Sequence, residues 1–276
     1  MPQNTEPSGT VMLPPAKTQE AFVHIGFAKT ALTRGRAFVL AILAGVFVAL
    51  GAAFMLTVRA DATLSATASL LLGGLAFCLG LFLVLVAGAE LFTGNCLMLI
   101  GALDGRYPLM RMVRRWAVVY AGNAVGSLVV VALLLAAGFP ELLGGSVGSF
   151  AYTVAASKAS LAPGVALARG ILCNVLVCLA VWMGSAGKTV CDKLAAAVLP
   201  VVSFVAMGFE HSVANMFFLP LGLAVQALGM GAGAITVAGV ACNLLFVTIG
   251  NIIGGVAVAA AYWFVYGRKE SATHQG

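Results

Sequence analysis

Apolar residues gather into six long runs along the chain, at approximately 36–58, 65–102, 113–138, 160–185, 194–228 and 234–266, separated by short polar stretches. A helix crossing a bilayer core of about 30 Å needs about 20 residues at 1.5 Å each, so most of these runs fit one span apiece. Runs 65–102 and 194–228 are too long for one straight span. Each carries a polar knot part-way along, Glu90 to Asn95 in the first and Glu210 to Asn215 in the second. Polar groups at that depth predict broken helices. Ahead of the first run, Lys17 to Gly35 place Phe22, Ile25, Gly26, Ala28, Lys29 and Leu32 on one mainly apolar helical face, the pattern of a helix lying along a membrane surface. The expected organisation is a tail and surface helix over 1–35 (with 1–16 disordered), a six-span domain over 36–267, and a short tail over 268–276.

The two knots belong to an internal repeat. Gly88-Ala89-Glu90-Leu91-Phe92-Thr93-Gly94-Asn95 and Gly208-Phe209-Glu210-His211-Ser212-Val213-Ala214-Asn215 share glycine, glutamate and asparagine at the same spacing. Gly122-Asn123-Ala124-Val125-Gly126 matches Gly250-Asn251-Ile252-Ile253-Gly254, and a weaker pairing sets Arg36 to Gly51 beside Arg169 to Gly184. Each half holds three spans. An odd number per repeat forces the second copy into the membrane the other way up, which predicts an all-α inverted 3+3 repeat with broken second and fifth spans. Broken ends leave unpaired backbone groups, and helix N-termini pointing to the midplane favour an anion there.

Composition agrees with this reading: 62% of residues are hydrophobic and 9% charged, far from the roughly one-quarter charged residues of soluble domains. The net charge of +6 does not point to nucleic acid, because the basic residues stand in ones and twos at the ends of apolar runs. Arg59, Lys158 and Arg169 fall on one face and the remaining lysines and arginines on the other, so the positive-inside rule puts both termini in the cytoplasm. Cys78, Cys96, Cys173, Cys178, Cys191 and Cys242 have neither metal-ligand nor loop-stapling spacing and read as small packing residues. The first residues lack the basic start and apolar run of a cleaved signal peptide, so the first span is expected to stay in the mature chain.

His211 is the one histidine inside an apolar run; His24 lies near the membrane surface and His274 in the tail. An ionisable group in mid-span is a functional candidate by default, and imidazole titrates near neutrality. Glu90 and Glu210 precede the two breaks; they are either proton carriers or carboxylates accepting backbone N–H bonds, the simpler account. Thr93, Asn174 and Asn251 offer donors to an anion or bridge helices, and both readings stand at this point. Lys158 reads as a lone outer cation, either a bland surface charge or one that concentrates anions at a vestibule mouth.

Together these motifs resemble the formate/nitrite transporter family. The match rests on Gly208 to Met216, on Leu91-Phe92-Thr93, on Asn174-Val175-Leu176-Val177-Cys178-Leu179-Ala180-Val181-Trp182 and on Thr248 to Gly255, in the expected order over about 70–266. The resemblance implies an aquaporin-like fold, a homopentamer with one pore in each protomer, a bacterial-type inner membrane and no cofactor. It further implies that His211 is the central pore histidine, Thr93 its hydrogen-bond partner, Asn174 the polar neighbour, Lys158 the vestibule lysine and Asn251 a sixth-span asparagine near the pore. Phe77 and Leu81 fall where the family has its cytoplasmic constriction, and Leu91 and Phe204 where it has the periplasmic one; ordinary packing explains all four equally well without the resemblance. The residues after Thr93, Gly94-Asn95-Cys96, lie where subgroups favouring formate, nitrite or hydrosulfide differ.

The implied function is a channel for small monovalent anions or their conjugate weak acids, formate foremost, with nitrite, hydrosulfide, lactate and acetate as alternatives. A neutral-solute channel of aquaporin type predicts Asn-Pro-Ala turns, and neither break carries that tripeptide. A membrane enzyme using His211 with Glu210 is disfavoured because adjacent helical positions point about 100° apart and no cofactor or metal motif accompanies them. A poreless scaffold leaves the repeated knots unexplained.

Overall fold

The computed structural model describes residues 12–267; the expectations for 1–11 and 268–276 lie outside the described residues. Those described form helices and turns without a strand. The expected surface helix is α1 (Pro15–Ala31), opened by a proline at its first position, where the missing N–H has no helical partner to lose. Residues 12–14, read as disordered from sequence, are held by Leu13 N–H donating to Ala186 O at 3.0 Å. Helix α1 packs onto the bundle. Phe22, Val23 and Gly26 are buried, Phe22 stacks on Trp182 at 5.2 Å, and Ala28, expected on the apolar face, is exposed.

Helix α2 (Arg34–Arg59) follows, then α3 (Ala66–Leu83), which widens into a π turn over Val84–Gly88. After the first break a 3-10 turn over Gly94–Met98 leads into the short α4 (Leu99–Leu103). Helices α5 (Leu109–Ala136), α6 (Ser146–Ala159), α7 (Pro163–Ala186), α8 (Val190–Ala206), α9 (Ser212–Ala227) and α10 (Val237–Tyr262) complete the order, with a closing π turn over Trp263–Gly267. Among the described residues five helices are long and apolar enough to cross a membrane: Arg34–Arg59, Ala66–Gly88, Leu109–Ala136, Pro163–Ala186 and Val237–Gly267. The run expected as a fifth span is divided into α8 and α9, of 17 and 16 residues.

Both breaks turn on a glycine. Gly88 and Gly208 have φ of 81° and 67°, a left-handed conformation that a side chain disfavours, and each ends the preceding helix just before a glutamate. The backbone N–H freed at each glutamate is then met from a neighbouring span: Glu90 N–H donates to Leu40 O at 3.1 Å and Glu210 N–H to Arg169 O at 3.3 Å. These bonds correct the weaker pairing read from sequence. The counterpart of Arg169 is Leu40, one helical turn beyond Arg36, and a one-turn slip keeps the small residues of α2 and α7 on the same face, so sequence matching does not detect it.

Small residues let the spans touch backbone to backbone. A methyl group at Gly126 would collide with the Ile42 carbonyl on α2, and one at Gly254 with the Ile171 carbonyl on α7. These are small-xxx-small contacts, which pack spans where lipid supplies no hydrophobic drive. Helices α3 and α8 run antiparallel: Gly74 meets Val202, Cys78 Sγ–H reaches Val198 O, and Lys193 Nζ reaches Leu85 O. The closing π turn lies against α1, with Gly267 beside Gln19, so both described ends share one end of the bundle. Cys78, Cys96, Cys173 and Cys178 are buried as expected of packing residues; Cys191 is exposed and Cys242 half-buried.

Candidate functional site

The same clamp is built at both breaks. Asn123 on α5 donates to Ala41 O (2.8 Å) and Glu90 O (2.9 Å) and accepts from Phe92 N–H (2.9 Å). Asn251 on α10 donates to Gly170 O (2.8 Å) and Glu210 O (2.9 Å) and accepts from Ser212 N–H (2.8 Å). Each asparagine thereby satisfies two backbone groups that a broken helix leaves open in an apolar medium and ties them to a carbonyl of an unbroken neighbouring helix.

The glutamates that these clamps position are ion-paired, not bound to backbone N–H groups as the simpler reading of the sequence held. Glu90 meets Lys29 of α1 at 2.7 Å and accepts from Asn95 at 2.7 Å. Glu210 meets Lys158 of α6 at 2.8 Å and accepts from Asn215 at 2.7 Å. Asn243 extends the second network, donating to Lys158 O at 2.9 Å and accepting from Asn215 at 2.7 Å. Lys158 is therefore no lone cation; its side chain is 15% exposed and fixed at both ends of its reach.

Two cavities open from these ion pairs. One, of about 370 Å³, is lined by Lys29, Glu90, Leu91, Val84 and Gly94. The other, of about 270 Å³, is lined by Lys158, Glu210, His211, Phe77 and Phe204, with Arg59 and Arg169 in its wall. This second cavity gathers three cations against one carboxylate, a field that concentrates anions.

Between the cavities lies one polar contact among buried apolar residues. His211 Nε2 and Thr93 Oγ1 are 2.8 Å apart, and His211 Nδ1 accepts from Ala214 N–H at 3.1 Å as the N-cap of α9. With Nδ1 occupied as an acceptor, a neutral imidazole must carry its proton on Nε2 and donate it to Thr93. The threonine O–H is then left to donate elsewhere. Asn174 holds the Thr93 carbonyl at 3.2 Å and the Asn251 carbonyl at 2.6 Å, tying the two breaks together. His211 has no counterpart in the first half: the matching position is Leu91.

The expected grouping of the constrictions is corrected by helix direction. Helix α3 runs from the Lys158 cavity toward the Lys29 cavity, whose wall includes Val84, Leu85 and Gly88. Phe77 therefore lines the Lys158 cavity, edge-on to Phe204 at 5.8 Å and near Phe218 at 6.5 Å, while Leu81 sits one turn further along α3. Phe204 also stacks on His211 at 6.2 Å. Leu91, paired with Phe204 in the sequence reading, lines the Lys29 cavity.

With this geometry established, comparison with known proteins gives a consistent result. The model of the family described as "Formate/nitrite transporter" matches residues 16–264. The chain belongs to the formate/nitrite transporter family. Among its relatives in the formate/nitrite transporter family, the formate channel FocA of Escherichia coli (strain K12) is 37% identical over 273 residues, 94% of this chain and 96% of that one. The nitrite transporter NirC of Salmonella typhimurium is 36% identical over 233 residues, covering 83% and 82%. A solved structure described as a pentameric formate channel with formate bound aligns with a TM-score of 0.76 at 36% identity, over 85% of this chain and 98% of that one. As a member of the formate/nitrite transporter family this is a membrane channel or transporter, not an enzyme.

Sequence reasoning missed Lys29 as the partner of Glu90, Asn123 as the first clamp, and Arg59 and Arg169 as lining residues of the Lys158 cavity. The repeat already carried a signal for Asn123, since it matches Asn251 residue for residue.

Proposed function

We propose that this chain is one protomer of a homopentameric channel for formate and closely related small monovalent anions, in a bacterial-type inner membrane with both termini cytoplasmic. In this reading α8 and α9 together make the fifth of six crossings. The two clamps are then related by an inverted repeat of aquaporin type, extended at its start by α1 and α6. The observation that carries the functional reading is the Thr93–His211 pair, buried between two cavities that each open at a lysine–glutamate pair. Similarity to a formate channel supports formate; the almost equal identity to a nitrite transporter keeps nitrite as a second substrate.

The mechanism follows from charge and tautomer. Arg59, Lys158 and Arg169 gather the anion at the outer mouth. Protonating a carboxylate at neutral pH costs about 4 kcal/mol, and carrying the bare anion past Phe77, Phe204 and Leu81 costs from about 3 to more than about 10 kcal/mol as the passage becomes drier, so a dry passage favours the neutral acid. The proton comes from water in the vestibule. His211 does not supply it, because its Nδ1 is engaged with Ala214 N–H and its Nε2 proton with Thr93. His211 and the N-terminus of α9 supply a fixed polar patch that admits a small oxygen-bearing solute.

The test is flux into proteoliposomes for formate, nitrite, hydrosulfide, acetate and lactate across a range of pH, with an internal pH dye. Formate or nitrite flux accompanied by proton movement is expected. No flux above empty liposomes, from protein shown to be folded and oligomeric, overturns the proposal.

A further inference from the structure

A third cavity, of about 460 Å³, lies away from the solute path, between the start of α2 and the start of α5. Arg34, Arg111, Arg114 and Arg115 line it, together with Met110 and Val118, and no carboxylate is among its lining residues. Arg115 is 7% exposed. Its Nη2 donates to Leu32 O at 2.6 Å and to Thr30 O at 3.3 Å, while its buried Nη1 has no partner among the described residues. A guanidinium held on one edge by carbonyls and open on the other presents a donor to an incoming acceptor.

Arg115 ties the carbonyls at the end of α1 and lies within electrostatic reach of Glu90, but neither the frame nor topology accounts for the cluster of four. Counting back from the matched clamps Asn123 and Asn251, the positions of Arg111, Arg114 and Arg115 are taken in the second half by Gly239, Cys242 and Asn243. The exposed Arg111 and Arg114 serve as an orientation signal by themselves, whereas a buried guanidinium with an open donor is costly unless an anion meets it. The arginines also crowd the first two turns of α5, where the helix dipole disfavours cations and Pro108 caps no N–H by side chain.

We propose that this cavity binds the phosphate of an anionic phospholipid headgroup. A lipid is favoured over free phosphate because the arginines stand among apolar side chains that face outward: Met110, Leu109, Val113 and Val39 are 46–58% exposed. From Arg111 at the rim to Val118 the wall descends about 10 Å along α5, which takes a ligand from headgroup level to acyl-chain level. Basic pockets of this kind between membrane helices suit anionic headgroups.

The test titrates the purified wild-type protein in detergent with phosphatidylglycerol, and with phosphatidylcholine of the same acyl chains, counting bound lipid by native mass spectrometry. Phosphatidylglycerol is expected to bind more tightly. The exposed-rim double variant Arg111→Gln/Arg114→Gln, which removes two charges, is expected to weaken it by about thirtyfold with phosphatidylcholine binding unchanged. Arg115→Gln is expected to act in the same direction; if it does not fold, the rim variant still decides. Equal binding of the two lipids, an unchanged rim variant, or displacement of the lipid by inorganic phosphate alone would overturn the proposal.

Discussion

Replacing Asn251 with alanine removes three hydrogen bonds at once, one to Gly170 O within α7 and two, to Glu210 O and Ser212 N–H, at the break, where the backbone has no helical alternative. Taken as three membrane-interior bonds at about 0.6 kcal/mol each, the loss is only about 2 kcal/mol. Taken as two backbone groups left unmet at about 1–3 kcal/mol each, with the Gly170 bond at about 0.6 kcal/mol, it is about 3–7 kcal/mol. The second estimate applies here, because the break itself deprives these groups of intrahelical partners, so a loss of at least about 3 kcal/mol is expected. At about 2–4 °C per kcal/mol for a chain of this size, the melting temperature in detergent should fall by about 6–12 °C. Asn123→Ala, which strips the matching bonds from the first break, should fall by a similar amount. Ser185→Ala is the control, since its hydroxyl donates to the Val181 carbonyl of its own helix and no bond between elements is lost. Tryptophan fluorescence during heating reads all three. A melting temperature for Asn251→Ala within a degree or two of the wild type, on the order of the control, would falsify the clamp account.

His211→Asn keeps a polar side chain near Thr93 but cannot titrate; formate flux with its accompanying proton movement should persist within a few-fold, and loss of the proton signal while anion current continues would show that the imidazole is the donor. Lys158→Met leaves the Glu210 carboxylate buried and unpaired, a loss of about 3–5 kcal/mol, so little folded protein is expected. The double variant Lys158→Met/Glu210→Gln should recover the fold on size-exclusion chromatography without recovering wild-type flux; full flux in it would remove Lys158 from the anion-gathering step. Gly254→Ala forces α10 away from the Ile171 carbonyl of α7, where backbone cannot give way, and should abolish a stable oligomer, whereas Gly164→Ala, with open space around it, should be neutral in the same assay.

Much of the frame could be read from the chain because broken spans announce themselves as polar knots in apolar runs, and the repeated Gly-x-Glu ties one knot to the other. His211 stood out for the same reason, as an ionisable side chain in an apolar run, and the structure buries it against Thr93. The ion pairs were not legible, since Lys29 stands 61 residues before Glu90 but Lys158 only 52 before Glu210, and no common spacing links them. The one-turn slip between α2 and α7 was hidden because small residues recurring each turn align equally well in either register. Sorting Phe77, Leu81, Leu91 and Phe204 by side failed for a different reason. Apolar residues carry no mark of depth, and only the opposed directions of α3 and α8 bring Phe77 to Phe204.

Two matched clamps hold a lining that is not matched, with His211 on one side where Leu91 stands on the other, and with three cations at one mouth where the second cavity's wall has Lys29 alone. A solute therefore approaches unlike energy profiles from the two faces. For a passive pore, microscopic reversibility requires that Vmax/KM be equal in both directions at zero membrane potential. Half-saturation is free to differ, and the arginine-flanked mouth should fill at the lower concentration. Such a pore can serve as a low-capacity collector from one compartment and a high-capacity vent from the other without any gate.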